Sequence, residues 1–311
     1  MSRAVAIIGC GRMGRERAVQ LRRLGVTIAL LVDESLERAR LLAADIPGAG
    51  VAASLDDPGM RGLDALFVCT PPGSRRASVA AAAKNGLALF VEKPIATTPE
   101  DAAWMRDTTD SAGILTAVGY MNRYRRGVSQ ARRLAAGSQV LGINCHWTCK
   151  PYSVPWWREV DQSGGPVNEQ ATHLVDLCRY VGGEIDQSQS SVSNDGETAG
   201  ALFHFRSGAL GTLLYSCGAP QKDIGLSVFT REGAMHLDGW DFRLADDAGG
   251  GAEPADADDP FAAETRAFID ALQSGDRSMI RSTMADAYET QRVMEQLRSG
   301  FGVREPLGAL R

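Results

Sequence analysis

Across its first 120 residues the chain alternates continuously apolar runs with helical patterns, and few folds accept that rhythm. AVAIIG is followed by RERAVQLRRLG, VTIALLVD by SLERARLLAADI, LDALFVCT by SRRASVAAAAKNG, and LALFVEKP by PEDAAWMRDTTDSAG, before ILTAVGY closes the series. Strands that are apolar throughout need helices over both faces, and strand–helix–strand alternation is how parallel βαβ units read in sequence. The expectation is an α/β fold whose first domain, residues 1–120, is a doubly wound parallel sheet.

After Tyr120 the rhythm changes. A helical stretch (YRRGVSQARRLAAG), a strand (VLGINCHWT), an irregular aromatic segment (KPYSVPWWREVDQSGG) and a helix from Asn168 precede a series of strand-like runs. These runs (SQSSVSN, AGALFHF, ALGTLLYSC, IGLSVFT and AMHLDGW) are separated by turn residues such as Asn194-Asp195-Gly196 and Arg206-Ser207-Gly208. Consecutive strands joined by short turns predict a large, mostly antiparallel sheet, so residues 121–311 are expected to form an α+β domain. DDAGGGAEPADADDP, residues 246–260, has six acids and no base and reads as a surface loop. Two helical patterns, FAAETRAFIDALQSG and STMADAYETQRVMEQLRSG, follow it.

Composition narrows the function classes. A formal net charge of -5 offers no electrostatic footprint for nucleic acid. The first strand begins at Ala4, and no apolar run approaches the roughly 18 residues of a membrane span, so a soluble cytoplasmic protein with no membrane partner is expected. The six cysteines are scattered through apolar segments and read as reduced, buried thiols. Cys145 and Cys149 would share a strand face, but two thiols are too few for a tetrahedral zinc site, so no metal is expected.

The chemistry-bearing residues gather at the strand ends. Gly9-Cys10-Gly11-Arg12-Met13-Gly14 is a GxGxxG between the first strand and the first helix, the context in which it marks a dinucleotide. Asp33, 19 residues beyond Gly14, ends the second strand, where a carboxylate can accept ribose hydroxyls and repel a 2′-phosphate. NAD is therefore favoured, while Arg38 and Arg40 leave NADP open. Thr70-Pro71-Pro72 and Glu92-Lys93-Pro94 end two further strands on the same sheet edge, where ligands of such sheets bind. Lys93 taken alone would be an ordinary exposed strand-end lysine; its convergence on the cofactor edge argues for more.

A GxGxxG near the N-terminus, a strand ending in TPP, the tripeptide EKP and a later glycine-led helix with a carboxylate four residues before a histidine together resemble the Gfo/Idh/MocA family of oxidoreductases. The later motif is SGGPVNEQATHLVDLCRYVGG, with Glu169, His173 and Asp176 on one helical stripe. For an isolated helix this would be a solvated polar face. The resemblance instead implies that His173 is the principal acid/base, Lys93 the polariser of the substrate oxygen and a proton relay, and Glu169 the carboxylate that orients the histidine; in some members the lysine transfers the proton instead, so Lys93 stays open for that role. The family more often has Asp where this chain has Glu169, and often His where it has Arg75. The family also implies NAD(P)-linked hydride transfer to or from a secondary alcohol or ketone of a sugar, amino sugar or cyclitol. Asn122, Arg123, Tyr152, Trp156, Trp157, Arg158 and Asp176 are candidates to bind such a substrate, and loop packing explains each singly as well. The alternatives are a redox-neutral NAD-dependent glycosidase, a biosynthetic ketone or imine reductase, and a non-catalytic dinucleotide-binding regulator. A homodimer or homotetramer formed through the open face of the second sheet is also implied.

Overall fold

A computed structural model of the chain describes residues 3–244 and 259–300. All but the last two residues of the acidic stretch 246–260 lie outside that range. The described residues divide into two compact units: 3–124, 159–164 and 259–289 form the first, and Arg125–Arg158, 165–244 and 290–300 form the second.

In the first unit β1 (Ala4–Ile8), β2 (Thr27–Val32), β3 (Gly50–Ala52), β4 (Ala65–Val68), β5 (Ala88–Val91) and β6 (Thr116–Val118) form a parallel sheet in the order β3-β2-β1-β4-β5-β6. α1 (Arg12–Arg23), α2 (Leu36–Ala43), α3 (Arg76–Asn85) and α4 (Pro99–Ala112) connect successive strands. Ala6, Ile8, Leu66, Val68, Leu89 and Val91 belong to one apolar cluster, and the alternating residues Val5, Ile7, Ala65, Phe67, Ala88 and Phe90 to another. Both faces are thus dry, and this removes polar alternation from the strands. The three-residue β3, not expected from the sequence, is too short to carry a periodicity. Strand order reverses between β1 and β4, and the carboxyl ends of the strands flanking that point are where ligands of such sheets bind.

In the second unit α5 (Arg126–Ala136) leads into β7 (Val140–Thr148). The short α6 (Val160–Ser163) clusters with the first unit, and the chain returns through a π-helical turn at Val167–Ala171 into α7 (Thr172–Gly182). β8 (Ile185–Val192), β9 (Thr198–Phe205), β10 (Leu210–Ser216), β11 (Asp223–Thr230), β12 (Gly233–Asp238) and β13 (Arg243–Leu244) complete a sheet ordered β13-β12-β11-β7-β10-β9-β8. Its pairs are antiparallel except β7 with β10. Cys145 and Trp147 of β7, Leu213 and Tyr215 of β10 and Leu226 of β11 bury one face with Val128 of α5 and Leu174 and Cys178 of α7. Leu210, Leu214 and Phe229 remain exposed.

α8 (Pro260–Ser274) belongs to the first unit, whereas the sequence grouped it with the second: its Phe268 meets Phe67 and Phe90 edge-on in the sheet's core. α9 (Met284–Ser299) follows, with Met284 and Ala287 in the first unit's core and Val293, Met294 and Leu297 in the second's. No helix among the described residues is long and apolar enough to cross a membrane.

Candidate functional site

The glycine turn after β1 is shaped by close approach. Gly9 has φ +94, and a Cβ there would lie 2.9 Å from the backbone of Cys69 and Thr70. A Cβ on Gly14 would collide with the Gly9 carbonyl, whereas one on Gly11 would meet nothing within 4 Å. Gly9 therefore closes the turn against the end of β4, Gly14 packs on Gly9, and Gly11 leaves open space before α1. The first turn of α1 has no side-chain cap and no acid, so Arg12, Met13 and their neighbours present backbone N–H groups suited to an anion. Asp33 braces the turn: its Oδ2 accepts from the Cys10 N–H at 2.8 Å, and its Oδ1 accepts from the Ser35 N–H at 2.9 Å and Arg38 Nε at 3.0 Å. Burial, and then the charge of Asp33, push the Cys10 thiol up to about 12. At the end of β4, Thr70 Oγ1 is buried with no hydrogen-bond partner among the described residues, and Pro72 opens a short helical turn. Gly73 of that turn packs so closely on the Asp161 carbonyl of α6 that a Cβ would not fit. The open ledge at Gly11, the uncapped helix, the strand-end carboxylate and the orphaned hydroxyl fit a dinucleotide.

The EKP segment splits into two roles. Glu92, expected at the cofactor edge, turns its carboxylate inward instead. Arg17 of α1, fully buried, donates from Nε to Glu92 at 2.7 Å, from Nη2 to Glu264 at 2.6 Å and from Nη1 to Thr265 Oγ1 at 3.0 Å, with its guanidinium over the Phe90 ring. A core guanidinium facing two carboxylates stays charged, and although burial opposes the charge, Glu92 and Glu264 raise its pKa. Lys93 is half-buried at the carboxyl end of β5, and the Lys93–Pro94 peptide is cis. Arg75, the departure noted in sequence, is buried and donates to the Thr70 carbonyl from Nε at 3.0 Å and Nη2 at 2.6 Å. Its Nη1 donates to the Glu92 and Pro94 carbonyls, so one guanidinium grips the backbone on both sides of Lys93.

In the second unit Glu169 lies in the π-helical turn and His173 in the first turn of α7, both buried. Wide helical turns of this kind occur often at functional sites because they displace side chains from regular positions. Trp157 donates from Nε1 to Glu169 Oε2 at 3.0 Å. Next to it, Gln170 Oε1 accepts from the Tyr215 hydroxyl at 2.7 Å and from the Cys149 thiol at 3.3 Å. The ring of Trp147 stacks on His173, with centroids 5.6 Å apart and planes 7° from parallel. Trp147 was read only as part of NCHWTC, and strand alternation alone could have placed it on the helix-covered face.

Several substrate candidates are occupied elsewhere. Trp157 is 1% exposed and serves Glu169 rather than a substrate, with Tyr152 packed on it at 5.4 Å between rings. Arg158 is exposed and pairs with Glu197 at 2.8 Å. Arg123 is buried, pairs with Asp286 at 2.6 Å and donates to the Arg281 carbonyl, and Asn122 beside it is buried. Asp176 is buried and accepts from Thr290 Oγ1 at 3.3 Å, so the third member of the helical stripe meets α9. Among the described residues no three His, Cys, Asp or Glu side chains gather to hold a metal.

A family model described as an oxidoreductase family with an NAD-binding Rossmann fold matches residues 3–120, and the GFO/IDH/MocA C-terminal domain matches residues 135–236. A scyllo-inositol 2-dehydrogenase (NAD(+)) of Bacillus subtilis is 27% identical over 255 residues, 75% of this chain and 72% of that protein. A 2,7-anhydro-N-acetylneuraminate hydratase of Escherichia coli is 30% identical over 218 residues, 61% of this chain, and the match spans 58% of its length. The WlbA dehydrogenase of Bordetella pertussis, solved with NADH and UDP-GlcNAcA, has the same fold at 19% identity, with a TM-score of 0.85 over 96% of each chain. Together with the glycine turn, Asp33 and the strand-end lysine, these matches place the chain in the Gfo/Idh/MocA family of NAD-binding oxidoreductases.

Proposed function

We propose that this protein transfers a hydride between NAD and a secondary alcohol or ketone of a sugar, amino sugar or cyclitol. Two prepared groups, one in each unit, support the reading: a lysine whose flanking carbonyls are gripped at a dinucleotide-binding sheet edge, and a histidine stacked on Trp147 four residues after a carboxylate fixed by Trp157. The names of the Bacillus inositol dehydrogenase and of the Bordetella enzyme with its sugar nucleotide support the substrate class.

The chain's residues divide the work as follows. The α1 N-terminus and Gly11 receive the pyrophosphate, Asp33 the adenosine ribose, and Thr70 to Pro72 the approach to the nicotinamide half. NAD, when bound, supplies the hydride acceptor. Oxidising an alcohol also requires removal of the hydroxyl proton, so a base and a nearby positive group are needed. His173 takes that proton, Glu169 orients its ring, and the Lys93 ammonium stabilises the oxygen as its charge grows. Arg38 sits on Asp33 and weakens that carboxylate's repulsion of a 2′-phosphate, which supports residual use of NADP.

A second reading rests on the Escherichia coli relative's name, hydratase, which describes a conversion without net oxidation. Absorbance of NADH decides between them. Incubating the purified protein with NAD and a panel of pyranosides, amino sugars and inositols should accumulate NADH with at least one compound. Consumption of a sugar with no NADH accumulating would favour the redox-neutral reading. We also propose that the open sheet face bearing Leu210, Leu214 and Phe229 joins a second copy of the chain; a monomeric mass in sedimentation at micromolar concentration would contradict this.

A further inference from the structure

Beside His173 the second unit carries a group of side chains that the proposed reaction leaves without a task. Strands β7 and β11 pair Trp147 with Ile224, so Lys222, two residues before Ile224, extends from the strand on the same helix-covered face as Trp147. Its ammonium stands 4.4 Å from the centroid of the Trp240 ring and 5.8 Å from that of Trp147. The two indoles meet edge to face, 5.6 Å apart and 85° between planes, and Trp147 in turn stacks on His173. Trp240 is 39% exposed although it is a large aromatic, and Lys222 is exposed as well.

Of the nearby charges among the described residues, Arg125 has a carboxylate partner and Asp223 lies beside an imidazole. Arg125, whose guanidinium carbon lies 5.3 Å from the Trp240 ring centroid, is buried and pairs with Asp241 at 3.2 Å. Asp223, next to Lys222, lies 3.3 Å from His146. Among the described residues Lys222 itself pairs with no carboxylate. An ammonium resting on aromatic faces is held in place without being neutralised, because the attraction comes from the ring quadrupoles and leaves its N–H donors open. Trp240 keeps exposed surface beside that ammonium, and a cation held in a fixed place suits an anionic substituent on a sugar ring.

We infer that Lys222, held over the exposed Trp240 with the buried Trp147 as support, forms a subsite for the negatively charged group of an anionic sugar, a carboxylate in first place and a phosphate in second. One ammonium with no carboxylate partner among the described residues matches the single charge of a uronate, whereas a doubly charged phosphate monoester ordinarily recruits more donors. The inference deepens the proposed function by naming the substrate class, and it rests on His173 marking the reactive end of that substrate.

Equilibrium binding tests it apart from turnover. Titrating the NAD-saturated enzyme with glucuronate, galacturonate and mannuronate, with the corresponding neutral hexoses, and with glucose 6-phosphate should show at least one uronate bound about tenfold or more tightly than its neutral partner, the equivalent of about 1.4 kcal/mol. That ratio should collapse in Lys222→Gln and invert in Lys222→Glu, and both substitutions, being at an exposed position, should leave the melting temperature nearly unchanged. Preference for the phosphate over every uronate would overturn the carboxylate assignment and keep the anion. No preference for any anionic sugar, or a preference that survives in Lys222→Gln, would overturn the subsite. Loss of NADH formation with every compound while the uronate preference persists would instead count against the oxidoreductase reading alone.

Discussion

Arg75 and Trp157 do at residue scale what the reacting groups cannot do for themselves. Arg75 clamps the carbonyls on either side of Lys93 and that of Thr70, so Arg75→Met should leave three buried carbonyls short of a charged donor and release the lysine's backbone. We expect kcat to fall by about tenfold or more, a loss of about 1.4 kcal/mol or more in the transition state, with partial recovery in Arg75→Lys. Steady-state kinetics of the three proteins measures this, and an unchanged kcat in Arg75→Met would dismiss the clamp. Trp157→Phe removes the N–H that fixes Glu169 while keeping most of the ring's packing. If Glu169 orients His173 as proposed, the expected signature is a lower kcat at nearly constant NAD affinity and a shifted pH–rate profile. The placement of the glycines, Asp33 and Lys93 at strand ends was legible in sequence because each comes just after an apolar run. Glu92 and Trp157 were not: the carboxylate's second neighbour on Arg17, Glu264, comes from far along the chain, and the indole's partner lies across a turn whose π-helical winding has no sequence signature.

At the scale of elements, the parallel sheet and the hairpins of the second sheet could be read from periodicity and turn residues, since Gly196 and Gly208 adopt the positive φ their turns demand. The return of α8 to the first unit could not, because an amphipathic helix records that it packs but not on what. Its tie to the sheet is the buried Arg17–Glu92–Glu264 group, reinforced by Phe268 on Phe67 and Phe90. Arg17→Met would strand two buried carboxylates, and removing one partner of a buried ion pair costs about 3–5 kcal/mol. Chemical denaturation should therefore show a midpoint lowered to that extent. A variant as stable as the parent would mean that the group is solvated in solution.

For the whole molecule, buried acids that stay protonated make alkaline pH destabilising. Cys10 is held near 12 against an ordinary value of 9.0, and burial also raises the thiols of Cys69 and Cys149 and the phenol of Tyr215. The unfolded chain loses these protons above about pH 9 while the native chain keeps them, so native stability is full below that pH and declines toward 12. The slope is at most about 1.4 kcal/mol per pH unit for each such group. Thermal denaturation from pH 8 upward should show the midpoint falling, and replacing Cys10 by Ser should not steepen the fall. The inferred anion subsite was the least legible feature, because Trp147, Lys222 and Trp240 come together only through the pairing of β7, β11 and β12. The central claim is hydride transfer between a sugar carbon and NAD, assisted by Lys93 and His173. Its most direct test uses substrates deuterated at the carbinol carbon and mass analysis of the cofactor. The account predicts deuterium in the nicotinamide ring with the parent enzyme, and transfer slowed by about 10²–10⁴ in Lys93→Ala and His173→Ala with NAD still bound. A nicotinamide that never acquires the label, or variants that transfer it at the parent's rate, would contradict it.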